Sequence, residues 1–294
     1  MVKNLFLKYL QFEKRYSIHT LSSYETDLEQ YIIFCKKNYG KQIEINTDHH
    51  LIRKWVVELI ENGLSTRTVN RKISTLKSFY KFLIRNNYIS INPMDKVLQP
   101  KFKKNLPYFV EEKQMDLLLD KVEFGADFSG VRDKLIIEIL YCTGIRLSEL
   151  INIKNNDFDN EKLTILVLGK RNKERLIPLS KNLSKELSGY INIRNREFSK
   201  GTNPYLFITD KGGVLYPKFV YRLVNKYLSF VTTIDKRSPH ILRHTFATIM
   251  LNSGADLNAI KEFLGHSNLA ATQIYTHTSF EKLKSIYKQA HPRA

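Results

Sequence analysis

Residues 162–180 read KLTILVLGKRNKERLIPLS. Two runs rich in leucine, isoleucine and valine, Leu163–Leu168 and Arg175–Leu179, flank the charged turn GKRNKE. Apolar runs this short, bounded by a turn, suit paired strands, because an amphipathic helix needs about ten residues at a 3.6-residue period. The stretch therefore reads as a two-stranded antiparallel hairpin. Outward from it in both directions the apolar spacing becomes helical. The hairpin is thus a small β element in a mainly α chain, and this decides the fold class.

Downstream, helices resume near residue 181 and continue to the end, apart from an irregular stretch at residues 202–217, TNPYLFITDKGGVLYP. Upstream, residues 110–122 and 130–153 are helical. Residues 99–107, QPKFKKNLP, carry two prolines, three lysines and no hydrophobic period, as an extended basic linker does. Ahead of it lie four helical patterns. The first holds Leu5, Tyr9 and Phe12, the second Leu21, Tyr24 and Leu28 with Gly40 as a stop, and the third spans residues 48–63. The fourth opens on a Ser65/Thr66 cap and carries the stripe Val69, Ile73, Leu76, Tyr80 and Leu83. The organisation is a helical domain at 1–98, a linker at 99–107 and a second domain at 108–294.

Forty-seven Lys and Arg stand against 29 Asp and Glu, a net charge of +18. Residues 1–107 hold 19 basic and 9 acidic side chains and residues 108–294 hold 28 and 20. Both parts are basic, so the charge is no terminal tail. Such a surface attracts phosphate backbones by counterion release, and duplex DNA is the expected partner. The fourth helix concentrates the signal: Arg67, Arg71, Lys72, Lys77, Lys81 and Arg85 lie off its stripe. No acidic residue stands between Glu61 and Asp95 to pair with them. These six are the candidate DNA contacts.

No run of about 20 apolar residues exists, which excludes a membrane-spanning helix. The N-terminus has charges threaded through it and lacks a signal-peptide pattern. Cys35 and Cys142 each sit in an apolar helical pattern, and both read as buried free thiols of a cytoplasmic protein.

Several residues are hard to place in a core. Arg146 interrupts an apolar stretch in TGIRLSEL and needs an anion; Glu149, three residues on, is one candidate. In SPHILRHTFATIML, His240 and Arg243 share a helix face at i,i+3. His240 and His244 have zinc-like i,i+4 spacing, but Ile241 stands where a HExxH motif needs glutamate, so no metal is expected. His266 follows Leu264-Gly265, and Tyr275 lies nine residues further on. Four of the eight histidines fall between 240 and 277.

Arg146 in TGIRLSEL, Lys170 in LGKRNKER, His240 and Arg243 in HILRH, His266 in LGH and Tyr275 in TQIYTH together resemble the tyrosine recombinases, the integrase family of site-specific DNA recombinases. The likeness spans essentially the whole chain, and within the family it is greatest to the Xer group. It departs from the family at Arg171, where relatives often carry a second glycine.

The resemblance implies a two-domain, C-shaped DNA clamp, mainly α with a small antiparallel sheet in the catalytic domain. Its residues 1–98 would be a SAM-like core-binding domain. It implies that Tyr275 is the nucleophile, His240 its base, Lys170 the general acid, and Arg146, Arg243 and His266 the ligands of the phosphate. Glu149 would orient Arg146 or His240 from behind. No cofactor is implied. The expected partners are duplex DNA, a homo- or heterotetramer with a paralogous recombinase, and a DNA translocase. The expected activity is strand exchange through a 3′-phosphotyrosine and a Holliday junction, resolving chromosome dimers at a dif-like site; a transposon or phage integrase is the alternative. The terminal segment at residues 279–290 either folds back on its own domain or, as in the family, docks on a neighbouring subunit.

Overall fold

A computed structural model describes residues 2–39, 48–101, 108–169, 173–198, 203–265 and 277–294. The chain divides into two compact units, residues 1–105 and 106–294.

Among the described residues the first unit is all-helical: α1 (Val2–Lys8), a π-helical turn (Tyr9–Glu13), α2 (Ile18–Tyr39), α3 (His49–Glu61), α4 (Thr66–Arg85) and a 3-10 turn (Pro93–Lys96). Side-chain caps fix two of the starts. Asp48 accepts from the Leu51 amide at 2.9 Å and Ser65 from the Thr68 amide at 3.3 Å, each satisfying a donor that the helix itself cannot. The α4 stripe, Val69, Ile73, Leu76, Tyr80 and Leu83, is fully buried against Phe6, Leu28, Tyr31, Ile52 and Trp55.

One expectation for α4 fails. Lys72 is not on the open basic face: it is buried, and its Nζ donates to Asp27 Oδ1 at 2.9 Å and to Gln30. Asp27 comes from α2, and it also receives Arg71 and the Thr75 hydroxyl. The absence of acids near α4 in sequence therefore concealed a partner brought from 45 residues away. Arg67, Arg71, Lys77, Lys81 and Arg85 do lie exposed.

The second unit contains α5 (Glu112–Lys121), α6 (Phe128–Thr143), α7 (Leu147–Leu150), β1 (Phe158–Asp159), β2 (Thr164–Leu168), β3 (Glu174–Pro178), α8 (Lys181–Glu197), α9 (Pro217–Leu228), α10 (Pro239–Asn252), α11 (Leu257–Phe263) and α12 (His277–Ala290). The sheet has three antiparallel strands in the order β1-β2-β3, one more than the hairpin read from sequence. The extra strand is only two residues long, pairing Phe158 with Ile165 and Asp159 with Thr164, too short to leave a periodic signal. Within the hairpin Ile165 faces Ile177 and Val167 faces Arg175.

Helix α6 is buried nearly all round, packed by α8 and α10, which accounts for its apolar run LIIEILYC, interrupted only by Glu138. It ends at Gly144 in the left-handed region (φ +59°), where a Cβ would lie 2.6 Å from the Phe246 ring. Only glycine meets both conditions. Helix α12 packs on its own unit, against α10, α11 and β3, burying Leu283, Tyr287 and Ala290. Both cysteines are buried free thiols. Among the described residues no helix is long and apolar enough to cross a membrane.

Candidate active site

The sharp turn at Gly144 sets Arg146 at the N-cap of α7. Its backbone amide donates to Glu149 Oε2 at 2.8 Å, and its Nη1 donates to Glu149 Oε1 at 2.8 Å. Its Nη2 reaches across to the carbonyl of Gly265 at 3.1 Å. Arg243, one turn beyond His240 on α10, is buried; it donates through Nη1 to Gly144 O at 2.6 Å and through Nη2 to Leu264 O at 2.7 Å.

A third arginine completes the arrangement, and the sequence reading did not single it out. Arg175 on β3 is buried; its fork binds both Glu149 oxygens, at 3.0 and 2.8 Å, and its Nε donates to Phe263 O at 3.0 Å. The carbonyls of Phe263, Leu264 and Gly265 thus receive one guanidinium each. They form the C-terminal end of α11, where carbonyls lack intrahelical donors and the helix dipole is negative, so cations are favoured there. A sequence signal for Arg175 existed: it shares strand parity with Ile177, which faces the core.

Three guanidiniums around one carboxylate leave a surplus of positive charge. Burial pushes Glu149 upward, but the bonds and charge of Arg175, then those of Arg146, outweigh it and hold the carboxyl below its usual range. Burial is also the main reason why Arg243 is lowered to about 10, with the charge of Arg146 second. It remains a cation at neutral pH. The Arg146 side chain keeps about a third of its surface open (32%), whereas Arg243 is closed in. Arg146 can therefore turn donors toward an incoming anion, while Arg243 supplies charge from beneath.

His240 is exposed on α10, its ring 5.9 Å from that of His244. Of the expected site residues, the structure brings together Arg146, Arg243 and Glu149 and places His240 on the helix that carries Arg243. Lys170, His266 and Tyr275 lie outside the described residues. Gly169 and Gly265, the residues just before Lys170 and His266, are described, and Gly265 is the residue whose carbonyl Arg146 holds. Among the described residues no cluster of three histidines, cysteines or acids could hold a metal ion.

The family model described as Phage integrase family matches residues 108–282, and that described as Phage integrase, N-terminal SAM-like domain matches residues 4–87. Tyrosine recombinase XerC of Bacillus subtilis (strain 168) is 40% identical, an alignment that covers 100% of this chain and 98% of that protein. Tyrosine recombinase XerC of Chlorobaculum tepidum is 35% identical, over 98% of this chain and 94% of its own. Among solved structures, a XerH site-specific recombinase bound to difH substrate in a pre-cleavage complex superposes with a TM-score of 0.64 at 26% identity, covering 91% of this chain and 79% of that one. The chain belongs to the phage integrase family, the tyrosine-type site-specific DNA recombinases. Both of the curated relatives named here, matched over nearly their whole length, carry the name XerC.

Proposed function

We propose that the chain cuts and rejoins duplex DNA by transesterification at Tyr275. The Tyr275 hydroxyl oxygen attacks the scissile phosphorus, and the bond from phosphorus to the 5′-oxygen breaks, leaving a 3′-phosphotyrosine. His240 takes the tyrosine proton, and Lys170 on the hairpin turn gives one to the leaving 5′-oxygen. Free tyrosine has a pKa of about 10, so a base and adjacent cations are both needed at neutral pH. Arg146 and Arg243 neutralise the two non-bridging oxygens, and His266 adds a hydrogen bond. The phosphotyrosyl bond keeps the energy of the diester, so rejoining needs neither ATP nor metal.

The observation that carries this reading is the convergence of Arg146 and Arg243 on the carbonyls of residues 264 and 265, the step that leads into His266. A cationic pocket assembled at that point suits a phosphate whose charge grows in the transition state. The exposed face of α4, with Arg67, Arg71, Lys77, Lys81 and Arg85, gives the first unit a surface for the duplex backbone.

Sequence likeness to the XerC proteins supports the finer reading. The enzyme works in the cytoplasm as a tetramer, with itself or with a paralogous recombinase. It exchanges strands through a Holliday junction and resolves chromosome dimers at a dif-like site, under the control of a DNA translocase. Helix α12, which packs on its own unit in the single chain, would leave those contacts to be exchanged between subunits. The test is recombination between two directly repeated candidate dif sites on one plasmid, with the protein alone and with a paralogue added. Excision in either case supports the reading; covalent cleavage without excision in both would remove the tetrameric part of it.

A further inference from the structure

We propose that Arg175 is a positioning residue that sets Arg146 and the roots of the segments carrying Lys170 and His266. The inference rests on the functional reading above and goes beyond its six reacting residues. Its basis is where one guanidinium sits. Both of its terminal nitrogens hold Glu149, and Glu149 in turn holds Arg146 by side chain and backbone. Its Nε holds Phe263 O, three residues before His266. Arg175 is also on the strand that leaves the Lys170 turn.

Two glycines close round the same group. A Cβ added at Gly169, the residue before Lys170, would come 3.3 Å from Arg175 Nη1 and 3.6 Å from Glu149 Oε1. A Cβ added at Gly265, the residue before His266, would come 3.1 Å from the same Nη1. The Gly169 amide is further tied to Lys173 O at 2.8 Å, closing the base of the turn. Arg175 therefore lies between the chain positions that immediately precede two of the expected catalytic residues, while its carboxylate partner grips a third. Each of its three nitrogens donates to a partner inside the protein, and the side chain is buried. It has no surface to offer DNA, so its effect on the reaction must pass through Glu149 and the neighbouring backbone.

A lysine at this position keeps the buried charge but is a single point donor. It cannot span both Glu149 oxygens and Phe263 O together. The experiment compares wild type, Arg175→Lys, Arg146→Ala and the double variant on a nicked suicide duplex, reading the first-order rate of covalent adduct formation at saturating protein. DNA affinity and Tm are measured alongside. Arg175→Lys is expected to bind DNA within about threefold of wild type and to cleave on the order of 10- to 100-fold more slowly, the scale of a misplaced catalytic group. In the Arg146→Ala background the same change is expected to cost clearly less than its full factor, because the part that passes through Glu149 and Arg146 is already lost while the part that passes through Phe263 and the two glycines remains.

Wild-type cleavage by Arg175→Lys, or a full multiplicative loss in the double variant, would overturn the proposal. If Arg175→Lys does not fold, Glu149→Gln removes the shared anion and is read in the same cycle, with the same two outcomes deciding. Absence of an adduct with the wild-type protein would instead defeat the functional reading itself, so the two failures are distinct.

Discussion

Arg146 and Arg243 are both arginines of one pocket, yet they should fail differently when removed. Arg243 satisfies two buried carbonyls, Gly144 O and Leu264 O, that have no solvent to fall back on. Arg243→Ala should therefore lose stability, roughly 2–4 kcal/mol with a lower Tm, as well as cleavage. Arg146 is partly open and its loss leaves Glu149 still held by Arg175. Arg146→Ala should reduce cleavage on the order of 10²- to 10³-fold while moving Tm little. Calorimetry beside adduct assays separates the two.

Glu149 gives a pH signature. Its folded pKa lies below the unfolded value of about 4.3, so its contribution to stability is present above that pH and fades as pH falls through the folded value. The Tm advantage of wild type over Glu149→Gln should accordingly shrink below about pH 4. At this scale much was legible in sequence: a guanidinium in an apolar stretch demands an anion, and Glu149 three residues on is that anion. Arg175 was not read, because a charged residue in a charged turn region attracts no attention unless strand parity with Ile177 is counted.

At the scale of elements, α4 shows what spacing conveys and what it hides. Its apolar stripe follows the 3.6 period and is buried throughout, and Lys72 falls on the edge of that stripe, three residues after Val69 and four before Leu76. The charge of lysine sets it off the stripe with the other basic residues of the helix, although this spacing faces it inward. Tertiary pairing with Asp27 decided the matter, and no local pattern could reveal an acid on another helix. Lys72→Met should then change Tm but leave the salt dependence of DNA binding intact. Lys81→Ala, on the exposed face, should do the reverse, lowering the slope of log Kd against log salt by about 0.9 if it meets one phosphate. An unchanged slope for Lys81→Ala would remove that residue from the interface.

Helix α12 carries a second pH dependence at its end. His291 stacks on Tyr287 and Phe246, and burial lowers its pKa to about 4, with the Arg293 charge adding to the shift. The unfolded histidine titrates near 6.5, so docking is fully supported above that pH and weakens as pH falls toward 4. Glu138, buried nearby and raised to about 8 by burial and Glu186, acts in the opposite sense, its contribution fading as pH rises. Comparing wild type with His291→Phe isolates the histidine. The wild-type Tm should lose ground to the variant between pH 7 and pH 4, by on the order of 2–3 kcal/mol in stability.

Across the whole molecule, the helical periods and the hairpin were legible because each leaves a local signature in spacing or turn chemistry, while most of the expected basic linker at 99–107 lies outside the described residues. The third strand left no such signature because it is only two residues long, and the triple-arginine cap of α11 left only the strand parity of Arg175, since it arises from contacts between segments far apart in the chain. The reading of the entire enzyme nevertheless turns on a single atom, the Tyr275 hydroxyl oxygen. The direct measurement is a nicked suicide duplex bearing a candidate site, incubated with wild type and with Tyr275→Phe and resolved under denaturing conditions. A covalent protein–DNA adduct is expected with wild type and none with Tyr275→Phe, while both bind the duplex with equal affinity. An adduct of normal yield from Tyr275→Phe would contradict the account and place the nucleophile elsewhere.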